Sequence, residues 1–466
     1  MTASSNRQKQ NFFLRYKLVK GQIKASNALR ILPYSIAAIL TGLVSVGYTK
    51  AFEFTQEKSH YILANFPLFF PLLTPIAFVA GWWLVNRYAP GASGSGIPQV
   101  MAILEKNPKD HDGQFKRLVG LRIVVVKFFS SLLCVFGGGA VGREGPTIQI
   151  AASIFYTFGK RFRTLTTTAQ HHSWIIAGSA SGLAAAFNTP LGGLVFAIEE
   201  LTSPHFRRLK TTLISAVIIA GMVAQSIYGP YLYFGFPKIQ MVTWHSAPYA
   251  LLVGIVVGFL GAVFGLLLSR GMSLLRQLPV KRRFLTVIAC GLAVSFIGLI
   301  AGESALGGGT DVVRQLLFQD EFKGSWGLAI SRFFTTLFSY FSGCAGGVFA
   351  PSLALGASFG SLLSGILDIG NPNLIILLGM AAFLAGVTDA PFTSFVLIVE
   401  MTDRHSAIFL IMLAAIAAAT VSRAINKESF YRAQMQYFLS WFRSIDDELA
   451  QKNSSASSTE SSAEKK

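Results

Sequence analysis

Apolar runs long enough to cross a bilayer recur along this chain, near residues 33–52, 67–86, 173–200, 211–228, 247–269, 284–301, 373–400 and 406–421. A hydrocarbon core of about 30 Å needs about 20 mostly apolar residues per helix. Lipid offers backbone groups no partner but each other, which restricts spanning structure to helices and closed barrels. The alternating pattern of a barrel strand is missing. The 466 residues are 52% hydrophobic and only 13% charged, against about 25% charged in a soluble domain. The expectation is an all-α polytopic membrane protein.

Basic residues outnumber acidic ones 40 to 22, for a net charge of +18, and the excess lies outside the apolar runs. Residues 1–30 carry Arg7, Lys9, Arg15, Lys17, Lys20, Lys24 and Arg30 with no acid. The positive-inside rule puts this end in the cytoplasm, against an anionic lipid surface, and the C-terminus is expected on the same side. No basic domain stands apart from the membrane part, so nucleic acid is not an expected partner. No cleaved signal peptide is expected, because no short apolar stretch leads into a small-residue cleavage site. Cys134, Cys290 and Cys344 sit in apolar surroundings without a CxxC pair and read as buried free thiols, with no metal site and no cofactor expected. The tail 451–466 is polar, low in complexity and expected to be disordered.

A repeat runs through the chain. In 178–202 and 379–402, Gly178, Pro190 and Glu199 match Gly379, Pro391 and Glu400 at a separation of 201, and Thr202 matches Thr402 at 200. Upstream, "GPTIQIAAS" (145–153) matches "APSLALGAS" (350–358). Two membrane repeats follow, 31–234 and 235–425, then a C-terminal helix region at 426–450. Basic "HFRRLK" (205–210) after the first copy reads as cytoplasmic, and near-neutral "TDRHS" (402–406) after the second as external. Opposite orientations fit a transporter built of inverted repeats, with its site between them and broken helices around it.

Three glycine-rich stretches interrupt the apolar pattern: "GSGIPQ" (94–99), "GREGPT" (142–147) and "GGVFAPS" (346–352). Proline after the glycines suits a first helical turn, so each reads as a helix N-terminus inside the membrane. Free N–H groups and about half a positive charge make such a start an anion site. Gly94, Gly96, Ile97, Pro98, Gly142, Arg143, Gly145, Pro146, Gly346 and Gly347 form the supporting loops. Burying a charge at the bilayer centre costs about 2.5–3.5 kcal/mol or more, so Glu144 marks either a function or a buried pair with Arg143. As a function, its carboxylate can mimic a permeating anion, then swing away and carry a proton. Glu199, matched by Glu400, reads as a brace bonding to backbone at a helix end. Unmatched Glu200 is a candidate proton acceptor, or else a solvated helix-end carboxylate. Lys127, inside "IVVVKFFSS", either raises the potential for anions or plays a structural part by snorkelling or meeting a carboxylate, and the structural part is the expectation.

The ordered set "GSGIP" (94–98), "GREGP" (142–146) and "GGVFAP" (346–351) resembles the CLC family of chloride channels and proton-coupled chloride transporters, over about residues 30–435. The resemblance implies a homodimer with one pathway per subunit, and inverted halves with many tilted or incomplete helices. By motif it implies that the Ser95 hydroxyl, the amides of Val348 and Phe349, and the Tyr431 hydroxyl line a chloride site. It further implies that Glu144 is the gate and Glu200 the internal proton glutamate of exchangers. Without the family, Tyr431 reads as an interfacial anchor. Ser95 rather than proline in its motif resembles chloride-selecting members.

The function expected is chloride–proton exchange in a plasma or bacterial inner membrane. A passive chloride channel on the same fold is the alternative, with Glu200 favouring exchange. An intramembrane serine protease is the remote one, because "GASG" (91–94) fits G-x-S-G. That chemistry needs a histidine base, and all seven histidines lie at span ends or in loops, so the chain is not expected to be an enzyme.

Overall fold

The computed structural model describes residues 3–106, 112–162, 171–201, 210–229, 232–240, 244–367 and 370–444. Among these, structure is helical, with two isolated β-bridges and no strand. The helices of the first half are α1 (Ala3–Asn65), α2 (Phe70–Tyr88), α3 (Ile97–Leu104), α4 (Asp112–Phe115), α5 (Leu121–Phe136), α6 (Glu144–Arg161), α7 (His171–Phe187), α8 (Pro190–Glu199) and α9 (Lys210–Tyr228). The second half has α10 (Ala247–Gln277), α11 (Val280–Ala301), α12 (Thr310–Phe318), α13 (Trp326–Phe341), α14 (Phe349–Leu367), α15 (Pro372–Thr388), α16 (Pro391–Thr402) and α17 (Ile408–Ile425). A last helix covers 430–444. The tail expected to be disordered and most of the basic stretch 205–210 lie outside the described residues.

Among the described residues, seven segments are long and apolar enough to span a bilayer: Ile31–Asn65, Pro67–Tyr88, Thr211–Tyr228, Trp244–Gln277, Val280–Ala301, Phe349–Leu367 and His405–Ile425. Two runs read as single spans are corrected here. Run 173–200 divides into α7 and α8, and run 373–400 into α15 and α16. The breaks have one chemistry: Asn188 and Asp389 turn left-handed at φ 57° and 60°, and a proline two residues later opens the next helix. Asn and Asp tolerate this conformation, and proline cannot continue the ladder of a preceding helix. Asn188 and Asp389 obey the 201-residue spacing of the repeat.

The matched pairs α6–α7 and α14–α15 pack tightly. Small residues allow it: a side chain on Gly178 would strike the Ala151 carbonyl at 2.7 Å, and one on Gly360 the Ile375 carbonyl, also at 2.7 Å. Small-residue contact is the usual way for helices to approach in lipid. Both inner pairs are almost wholly buried, while α9, α10 and α11 expose apolar side chains such as Met222, Phe259 and Phe296. Cys134, Cys290 and Cys344 are free and buried, as expected.

Glu199 and Glu400 brace the repeat reciprocally. Glu199 accepts from the amides of Phe392 and Thr393 at 3.0 and 2.6 Å, at the start of α16. Glu400 accepts from Leu191 and Gly192 at 3.0 and 2.7 Å, at the start of α8. Each carboxylate caps the helix that carries the other. A contact made identically in both directions requires a two-fold relation between the copies. Hydrogen bonds to an ionised group contribute about 1.5–3 kcal/mol. Glu199→Ala and Glu400→Ala should therefore each lower the thermal midpoint of the detergent-purified protein, and by similar amounts; melting followed by tryptophan fluorescence checks this.

Candidate functional site

The three glycine motifs meet as one hydrogen-bonded knot. The Gly94 amide donates to the Cys344 carbonyl at 3.0 Å, and Gly346 returns a bond to the Gly94 carbonyl at 3.0 Å. Gly142 and Gly347 exchange both of their bonds at 2.8 Å. Gly94 and Gly96 are left-handed, at φ 60° and 105°. Close approach also excludes side chains: a Cβ on Gly145 would collide with the Ser95 hydroxyl, and one on Gly346 would meet Val141 at 2.5 Å. Ile97, with Pro98 next, opens α3; Arg143 precedes α6; Val348 and Phe349 lead into α14. Neither α3 nor α6 has a side-chain cap. Three helix starts therefore point at one region.

Two orphaned hydroxyls lie there. Ser95 Oγ and Tyr431 OH are buried and have no hydrogen-bond partner of full geometry, although they neighbour one another. Buried polar groups are nearly always paired, so two unpaired hydroxyls beside uncapped helix starts fit an anion as substrate. Tyr431 is not the interfacial anchor that its sequence position indicates. It lies in the first turn of helix 430–444, fully buried, with its ring stacked on Phe349 at 6.0 Å. Phe187 and Phe196 each stand 6.3 Å from Phe349 and complete an aromatic wall.

Glu144 is 1% exposed and begins α6. Its Oε1 accepts from the Tyr233 hydroxyl at 3.2 Å. The amides of Glu144 itself and Ala350 also face the carboxylate, though Oε2 has no full hydrogen bond. The carboxylate thus lies where the starts of α6 and α14 meet. A buried Arg143–Glu144 pair is not what forms, because Arg143 Nη1 donates to Glu53 of α1 at 2.6 Å. Glu200 is elsewhere, half-buried at the end of α8, with Glu199, Asp389 and Arg432 as its charged neighbours. Tyr431 lies within electrostatic reach of both Glu144 and Glu200.

Lys127 is fully buried and neither snorkels nor meets a carboxylate. Its Nζ donates to the carbonyls of Ala92 and Gly94 at 3.1 and 2.9 Å. The cation fastens the loop that carries Ser95. Ser93, of the G-x-S-G stretch, ends the short turn Pro90–Ala92, and its carbonyl accepts from Gln99 Nε2. The sequence reading missed Tyr340, whose hydroxyl accepts from the Ser95 amide at 3.3 Å, together with Glu53 and Tyr233. None of the three lies in a glycine motif.

Residues 76–423 match the family described as voltage gated chloride channel. The chain belongs to this CLC family. Among similar proteins is the "H(+)/Cl(-) exchange transporter ClcA" of Salmonella paratyphi C, 31% identical over 457 positions and covering 91% of each chain. A crystal structure of a slow cyanobacterial Cl−/H+ antiporter superposes with a TM-score of 0.78 at 25% identity, over 88% of this chain and 98% of that one. A CLC-type fluoride/proton antiporter has the same fold, with a TM-score of 0.74 at 20% identity over 87% and 98% of the two chains.

Lys127→Met removes both charge-assisted bonds; the Gly94 carbonyl keeps its bond from the Gly346 amide, but the buried Ala92 carbonyl is left unpaired, at about 1–3 kcal/mol. The variant should melt at a lower temperature and bind chloride more weakly by calorimetry. Unchanged melting and affinity would mean that the cation does not hold this loop.

Proposed function

We propose that this chain is a secondary transporter that exchanges chloride for protons across a membrane. The observation that carries the reading is the Glu144 carboxylate, buried where two helix starts converge, beside the unpaired hydroxyls of Ser95 and Tyr431. Partial charges on amides attract an anion without the grip of a full cation, so that a bound ion can leave. Chloride occupies the position bounded by Ser95, Val348, Phe349 and Tyr431. Ionised Glu144 competes for an anion position; protonated, it loses its attraction to the amides and carries its proton outward.

Glu200 receives protons from the inner side. Its place at the end of α8, with Tyr431 in reach of both acids, supports a separate proton branch joining the chloride path at the gate. The relatives described as exchangers support coupling over passive conduction. Both termini are cytoplasmic, on the strength of the basic N-terminal segment. The assembly is a homodimer with a pathway in each subunit, as the family resemblance implies, in a plasma or bacterial inner membrane.

Protein reconstituted in liposomes under an imposed chloride gradient should drive protons uphill. Chloride movement that dissipates the gradient without proton uptake would instead identify a channel. Glu144→Ala should keep anion flux but lose proton coupling and pH dependence. Glu200→Gln should stop proton movement and preserve chloride flux; normal proton pumping by that variant would remove Glu200 from the pathway. Ser95→Ala and Tyr431→Phe should each weaken chloride binding by calorimetry, about three- to tenfold for a hydrogen bond of about 1 kcal/mol.

A further inference from the structure

Among the described residues, the hydrogen bond from a side chain to Glu144 comes from outside every motif. Tyr233 belongs to the non-helical stretch 232–240, between α9 and α10 in the chain. It is held from all sides. Its carbonyl accepts from Arg314 Nη2 at 2.9 Å, and the Phe234 amide donates to the Met401 carbonyl at 3.2 Å. Its ring meets Phe187 and Phe234 edge-on at 5.1 and 4.8 Å. The Arg143 guanidinium lies 5.6 Å from the ring centroid, itself tied to Glu53. The ring is fixed, while its hydroxyl lies within hydrogen-bond distance of Glu144 Oε1 at 3.2 Å and of Thr310 Oγ1 at 3.3 Å.

A phenol has one proton to donate. Toward an ionised carboxylate that bond is about twice as strong as toward a neutral acceptor. Once Glu144 is protonated or withdrawn, the advantage disappears and Thr310 is already within reach. We propose that Tyr233 is a positioning residue for the gate: its hydroxyl latches the ionised Glu144 carboxylate in the pathway and releases it by turning to Thr310. No proton leaves the phenol; only its hydrogen-bond acceptor changes. The proposal rests on the reading of Glu144 as the gate. Its consequence is a gate that stays shut longer at neutral pH than the helix starts alone would keep it.

The other titratable and charged groups around this carboxyl and its latch are Arg143, Tyr48 and Glu53 of α1, Tyr431 of the last helix, and Asp311 and Arg314 of α12. Tyr233→Phe leaves all of these in place and keeps the ring that packs on Arg143, Phe187 and Phe234. Chloride and proton fluxes of the full chain in liposomes, from pH 4.5 to 8, test the latch. Tyr233→Phe should raise chloride turnover at neutral pH by about tenfold, the effect of losing one charge-assisted bond, and move the acid-activation midpoint to higher pH. In a Glu144→Ala background the same substitution should change nothing. Thr310→Val, which removes the receiving hydroxyl, should slow flux on the acid side, and it tests the release step even if Tyr233→Phe does not fold.

An unaltered rate and pH profile in Tyr233→Phe would overturn the proposal, as would an equal change with and without Glu144, which marks simple loosening of the pore. A Thr310→Val variant as fast as the parent would overturn the release step. If the parent protein moves chloride without protons while the Tyr233 effect still needs Glu144, the latch stands and the exchange reading fails.

Discussion

A helix that begins inside a membrane leaves its first amide N–H groups without intrahelical partners, and lipid supplies none. This chain has several such starts and meets them in two ways. At α8 and α16 the amides are met permanently, by Glu400 and Glu199. At α3 and α6 no side-chain cap is present. One carboxylate, that of Glu144, lies where α6 and α14 begin. The fixed caps hold the repeats together; the uncapped starts are available to an exchangeable anion. If Glu144 is the gate proposed above, structural and functional glutamates answer the same physical demand and differ in whether the acceptor can leave.

The opposite poles of these peptide groups need attention too. Buried cations serve carbonyls in the linking loops: Lys127 holds Ala92 and Gly94, and Arg332 holds Ser304, Leu306 and Gly307. Each cation is wholly buried and, among the described residues, forms no ion pair with a carboxylate, which is costly unless several strong acceptors replace water. Carbonyl groups do so here. Loops that must be irregular to aim amides at one region are thereby kept rigid, and the knot of Gly94, Gly142, Gly346 and Gly347 retains its register.

Much of this could be read in the sequence because glycine, proline and acid patterns report backbone demands directly. The helix starts at Ile97, Glu144 and Phe349 sit where "GSGIP", "GREGP" and "GGVFAP" put them, and the 201-residue spacing anticipated the bracing role of Glu199 and Glu400. Hydropathy was the weaker guide. Its window ran across Asn188-Thr189-Pro190 and Asp389-Ala390-Pro391, although each break carries its own turn signal. Lys127 eluded a sequence reading for a different reason: its partners are carbonyls, which every residue possesses. Tyr431 has the surroundings of an anchor in sequence, and only the return of helix 430–444 to the core buries it. Tyr233 and Glu53 lie in no glycine motif and in neither pair of matched repeat segments, and their roles arise from tertiary placement alone.

The cations nearest the gate show why amides carry the anion. Arg143 adjoins Glu144 in sequence, yet its guanidinium turns to Glu53 and the Tyr233 ring. Lys127 adjoins the Ser95 loop, yet its ammonium is spent on carbonyls. A full charge facing the pathway would deepen the well for chloride and slow its departure. Tied as they are, these cations direct their hydrogen bonds to Glu53 and to loop carbonyls. On the proposed reading of the site, a halide and the Glu144 carboxylate compete for the same weak amide donors, and protonation of the carboxylate decides the contest.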